Sequence, residues 1–126
     1  MFSHVMVGAN DLAASKKFYD AVLGAIGLPA GITDEKGRVF YLSPTGVLGL
    51  TSPIDGAPAT AANGGTIGFA CADPAAVEAW HKAGVANGGK AIEDPPGVRE
   101  GGMGKMYLAY LRDPSGNKLC ALHRMG

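Results

Sequence analysis

No excess of charge marks this chain: 11 Lys and Arg stand against 11 Asp and Glu. Such a balance sets up no field to draw in nucleic acid or an anionic membrane surface, so neither is expected as a partner. No apolar run approaches the length of a bilayer span, and the opening Phe2-Ser3-His4-Val5 lacks the basic start and cleavage pattern of a secretory signal. The expectation is a soluble, cytoplasmic protein. Cysteine is scarce too. Cys71 and Cys120 are the only two, and without a secretory signal they read more simply as reduced thiols than as a disulfide. A chain of 126 residues can bury one sizeable core and not two, which leaves one compact domain or two half-size units sharing a core.

What the sequence has in quantity is punctuation. Its 20 glycines and 8 prolines fall between apolar runs, where they mark turns and not disorder. Near the C-terminus, Tyr110-Leu111-Arg112, the turn Asp113-Pro114-Ser115-Gly116 and Lys118-Leu119-Cys120-Ala121-Leu122 read as a β-hairpin. Pro114 presets φ at the first central position, and Gly116 can take the left-handed conformation that closes the turn. Ser43-Pro44-Thr45-Gly46, again between apolar runs, repeats the layout.

Taken in order, a short strand from Phe2 to Val7 leads to a helix capped by Asp11, with Leu12, Ser15, Phe18, Tyr19, Val22, Leu23 and Ile26 on one face. Gly24 and Gly27 offer exits. After Pro29 come a short segment to Thr33, the turn Asp34-Glu35-Lys36-Gly37, and strands at Arg38 to Leu42 and Val47 to Thr51, so the first half is βαβββ. Residues 52–65, rich in Pro, Gly and Ala, have no usable period and read as a linker. The order restarts with a strand from Thr66 to Ala72 and a helix capped by Asp73 with Pro74 in its first turn. Val77, Trp80 and Ala83 form its apolar stripe. A strand at Lys90 to Glu93, a Gly/Pro-rich loop from Asp94 to Gly104 and the closing hairpin complete it. Asp73 lies 62 positions after Asp11 and Gly116 lies 70 after Gly46, so the second half carries eight extra residues. They are expected in the loop Pro95 to Gly104, as a lid over a site or as a passive surface loop. The chain therefore divides into module one (1–51), a linker (52–65) and module two (66–126).

Two βαβββ units in this order, His4-Val5-Met6-Val7 followed by Asp11 and Phe18-Tyr19, and the closing Asp113-Pro114-Ser115-Gly116-Asn117-Lys118 resemble the vicinal oxygen chelate superfamily. That is the family of glyoxalase I, extradiol dioxygenases, fosfomycin-modifying enzymes and bleomycin-resistance proteins. The resemblance implies an α+β fold in which two modules form an incomplete, curled β-barrel around a cavity, with helices on the convex side, assembled as a homodimer. Alternation agrees with such a cavity: Val5 and Val7 turn to the helix and leave His4 and Met6 on the other side, while Cys120 and Leu122 share one face of the last strand. His4, Thr66 and Cys120 are expected to converge there.

In metal-dependent relatives the resemblance implies ligands on the first and last strands of each module, histidine on the former and glutamate on the latter. Here the four positions offer His4, Thr66, Gly49 or Leu50, and Cys120. Only His4 and Cys120 retain any capacity to ligate, and a catalytic metal normally has three protein ligands. Two readings follow. In the first, the protein has no cofactor and holds a small organic molecule in the barrel cavity, with His4, Met6, Thr66, Tyr107, Cys120 and Leu122 on the wall and Arg99 reaching in from the lid. In the second, His4 and Cys120 take a divalent metal such as Zn, Ni or Mn in a lyase or isomerase related to lactoylglutathione lyase, acting on a thiol adduct. No glutamate occupies a ligand position to move a substrate proton, which weighs against the second. His81 and His123 read as edge residues, and Cys120 as a small buried hydrophobe.

Overall fold

Both helices begin in the same way. An aspartate in extended conformation turns its carboxylate back onto the backbone N–H three residues on, Asp11 to Ala14 at 2.9 Å and Asp73 to Ala76 at 2.8 Å. In the computed structural model, which describes all 126 residues, these caps open α1 (Leu12–Gly24) and α2 (Pro74–Ala86). Around them run β1 (His4–Gly8), β2 (Ile32–Thr33), β3 (Val39–Ser43) and β4 (Gly46–Thr51), then β5 (Ile67–Ala70), β6 (Lys90–Gly101), β7 (Gly104–Arg112) and β8 (Lys118–Arg124). Each half is βαβββ, and residues 52–65 between them hold no helix or strand apart from turns.

The strands form two four-stranded mixed sheets, β1-β4-β3-β2 and β5-β8-β7-β6, with no closed barrel. In each, the first strand lies parallel to the last of its own module and the other pairs are antiparallel. Parity then sorts the side chains. Val5, Val7, Leu48, Leu50, Val39 and Tyr41 of one sheet, and Leu119, Ala121, Ala109 and Leu111 of the other, turn to the helices. They join Phe18, Tyr19, Val22 and Leu23 of α1 with Val77 and Trp80 of α2 in a single core spanning both modules. The two helices meet at Gly84, where a Cβ would collide with Leu111 and crowd Val22 and Phe18, so only glycine permits the approach.

One expected element is corrected. The loop expected from Asp94 to Gly104 is strand apart from a turn at Gly102 and Met103: β6 continues to Gly101 and pairs with β7 up to Gly101 opposite Gly104. The register skips from Ile92 to Gly97, which leaves Glu93, Asp94, Pro95 and Pro96 bulged out of the ladder. A proline has no N–H to give a ladder, and the bulge removes that demand. Glu93, with φ of 58°, takes up the turn into it. The extra residues of module two therefore lengthen a hairpin and do not form a free lid.

The Asp113 turn braces the modules together. The buried Asp113 carboxylate accepts the Tyr19 hydroxyl from α1 at 2.6 Å, the backbone N–H groups of Ser115 and Asn117 at 2.9 Å each, and the Asn117 side-chain amide at 2.8 Å. The same amide nitrogen donates to the Gly8 carbonyl at the end of β1 (3.0 Å), and the Asn10 N–H donates to Ser115 Oγ (3.0 Å). Gly116 sits at φ of 93°, as the turn requires.

Candidate functional site

Module one carries the counterpart turn, and it makes no such brace. Ser43 and Gly46 pair directly across a two-residue loop. The Ser43 hydroxyl donates to the Gly46 carbonyl (2.8 Å) and accepts the Thr45 N–H (3.3 Å), both bonds internal to the turn. Neither an aspartate nor an asparagine is present to reach across to β5 as Asp113 and Asn117 reach to α1 and β1. At that unbraced junction lies the main cavity, about 460 Å³, bounded by β1, the β3–β4 turn, β5 and the chain leaving α1.

Its walls are mostly apolar. Val5 and Leu48 of module one face Ile67 and Phe69 of module two, Leu23, Ile26 and Leu28 close the α1 side, and Phe2 lies at the N-terminal edge. The polar groups are few. His4 is exposed, with Nδ1 at 2.8 Å from Ser3 Oγ, which leaves Nε2 without a protein partner. Tyr41 gives the cavity its ring while its hydroxyl donates to Asp20 Oδ1 (2.7 Å). Burial and that carboxylate together hold the Tyr41 hydroxyl protonated far beyond neutral pH. Burial would raise the Asp20 carboxyl, but hydrogen bonds from Lys16, the Gly31 N–H and Tyr41 outweigh it and bring it below its usual range. The pair thus fixes the Tyr41 ring against the cavity and titrates nowhere near pH 7.

Of the residues expected at the site, the cavity wall takes His4 alone. Met6 points to the same open face but lies over Gly49 beside Phe40, where a Gly49 Cβ would strike its thioether. Thr66 is exposed, one residue ahead of β5. Leu122 faces Ala70 and Leu108 in register, off the cavity wall. Tyr107 turns to the helix layer and donates to Glu78 Oε1 at 2.6 Å. Arg99 is spent on backbone, donating to the carbonyls of Asp94 (3.1 Å) and Pro95 (3.0 Å). Cys120 stands opposite Gly68 in the ladder, buried and off the wall. Burial pushes its thiol up, against a hydrogen bond from Tyr110, so it is a protonated thiol at neutral pH. His4 thus lines the cavity without Thr66 or Cys120 beside it on the wall.

Nor do these groups fit a divalent metal. Register makes Gly49 the counterpart of Cys120, since Met6 pairs with Gly49 as Gly68 pairs with Cys120. The four positions therefore hold one imidazole, one hydroxyl, one bare glycine and one high-pKa thiol. No three His, Cys, Asp or Glu side chains gather anywhere in the molecule. His81, kept low by burial against the pull of Glu78, and His123, whose Nδ1 meets the Cys71 carbonyl at 3.1 Å, stand apart from the cavity.

Paired βαβββ modules, two half-rolled sheets and a cavity where the modules meet define an α+β protein built by duplication. The chain belongs to the Glyoxalase/Bleomycin resistance protein/Dioxygenase superfamily, whose family model matches residues 1–121. Among solved structures it is similar to a glyoxalase/bleomycin resistance protein from Albidiferax ferrireducens T118, with 60% identity over 98% of this chain and 99% of that one and a TM-score of 0.96. A glyoxalase-related enzyme from Fulvimarina pelagi (18% identity, 98% and 88% coverage, TM-score 0.76) shares the fold. So does a lactoylglutathione lyase from Agrobacterium tumefaciens (24% identity, 98% and 92% coverage, TM-score 0.67). No curated protein matches.

Proposed function

We propose that this protein binds a small, largely apolar organic molecule in the cavity between β1 and β5 and holds it without chemistry of its own. The cavity carries the reading: at about 460 Å³, with 11 of 17 lining residues hydrophobic, it has the size and wall of a small-molecule site. The wall holds no carboxylate, thiol or amine, and its one imidazole, His4, has none of these beside it to form an acid–base or nucleophile pair, which supports binding over turnover. The lyase reading has only a fold-level likeness behind it, and fold alone does not carry chemistry.

Thermal-shift and native mass-spectrometric screening of benzyl and alkyl alcohols, esters and amides of roughly six to twelve carbons, sized to such a pocket, is expected to give saturable one-to-one binders. Gly68→Leu is the control, because a Cβ at Gly68 meets nothing within 4 Å and the larger side chain can enter the cavity. That variant is expected to keep its fold and lose the binders. A full panel without a saturable binder, or binders that Gly68→Leu leaves untouched, contradicts the proposal. A second copy of the chain is also expected: Met6, Ile32 and Leu42 leave an exposed apolar strip on the open face of the first sheet. Light scattering reads this directly, and a monomer at micromolar concentration argues against it.

A further inference from the structure

The cavity has a second lining that its side chains do not show. In β1 the bonds Val47 N–H to the Ser3 carbonyl and Ala9 N–H to the Thr51 carbonyl turn the odd-numbered residues toward β4. The N–H and C=O groups of His4, Met6 and Gly8 therefore point to the free edge. In β5 the bond from Cys71 N–H to the Leu122 carbonyl fixes the same parity, so Gly68 and Ala70 point away from β8. Both strands are terminal in their sheets, and neither pairs with the other. His4, Gly68 and Ala70 all line the cavity, which is thus flanked on two sides by open strand edges. At Gly8, the far end of the β1 edge, the free carbonyl already has an occupant, the Asn117 carboxamide at 3.0 Å.

From this arrangement we infer that the cavity's ligand is a secondary amide, whose N–H and C=O pair with the open edges at His4, Gly68 or Ala70 while its apolar arms lie against Phe69, Leu23 and Ile26. The inference rests on the cavity being the binding site and adds the class of molecule. Strand edges present alternating donors and acceptors, and a trans secondary amide answers both with one planar unit. An alcohol or an ester supplies the apolar arms and only part of that pairing. At Gly8 the same edge already accepts one N–H of a planar carboxamide.

The test compares three probes with one apolar body: N-benzylhexanamide, its N-methyl derivative and benzyl hexanoate. Isothermal titration is expected to rank the secondary amide roughly tenfold tighter than the other two, the effect of one hydrogen bond made against one left unmade. In the complex, the Gly68 and Ala70 amide resonances are expected to move downfield with the amide and not with the ester. Gly68→Pro removes one edge donor outside the β5–β8 ladder and is expected to narrow the amide's advantage. Should that variant not fold, the probe ranking and resonance shifts on the native chain still decide. Equal binding of all three probes at the cavity overturns the amide class and leaves the binding site standing. Absence of binding by all three, with Gly68 and Ala70 unmoved, contradicts both.

Discussion

Tyr19 and Asp113 are the pair on which the joining of the modules rests. The hydroxyl lies 2.6 Å from the carboxylate inside the core, and burial followed by that charge raises the tyrosine well above its usual value near 10. Tyr19→Phe leaves a buried carboxylate one donor short, so chemical denaturation is expected to show a loss of about 2 kcal/mol. The pH sign follows from linkage. A tyrosine raised in the folded state stabilises fully below the unfolded value near 10, and that contribution disappears as pH climbs through the folded value. The native Tm is therefore expected to fall above pH 10 more steeply than that of Tyr19→Phe, and parallel curves would show that Tyr19 does not carry the effect. Asp113 and Gly116 are legible in the sequence as turn residues, because a turn is local chemistry. The role of Asp113 as acceptor for a helix residue 94 positions away is not, since no local pattern encodes it.

Among the elements, the two β-hairpin turns occupy equivalent places and do different work. Asn117→Ala removes bonds to both Asp113 and Gly8, and is expected to cost about 1–3 kcal/mol. Ser43→Ala, losing only bonds inside its own turn, is expected to stay within about 0.5 kcal/mol. Equal costs in urea titrations would mean that the junctions are braced alike. Gly84→Val tests the helix crossing, where overpacking is expected to cost about 1–3 kcal/mol. Caps, helix faces and the βαβββ order can be read from residue chemistry because Asp11, Asp73 and the apolar spacing act within one turn. β6 escapes that reading. Its Pro95-Pro96 pair argues for a loop, and only the long partner β7, with the bulge that releases the prolines from the ladder, makes it strand.

For the molecule as a whole, duplication without full symmetry is what leaves a cavity at one module junction. One module junction is closed by the Asp113 turn, while the other, with a shorter and simpler turn, opens into the cavity. Parity along each strand places His4 on the face opposite Val5 and Val7 but cannot say which strand edges approach each other. Ile67, Phe69, Leu23 and Ile26 therefore go unmarked beforehand except as core. Met6, Tyr107 and Arg99 look like wall residues until their partners Gly49, Glu78 and the bulge carbonyls are seen. A crystal of the protein soaked with N-benzylhexanamide tests the account most directly. Density for the probe between β1 and β5, with the benzyl or alkyl arm against Phe69 and Leu23, is the predicted result. A probe lying only on the open face beside Met6, Phe40 and Leu42, or a cavity closed by the protein's own side chains, would contradict it.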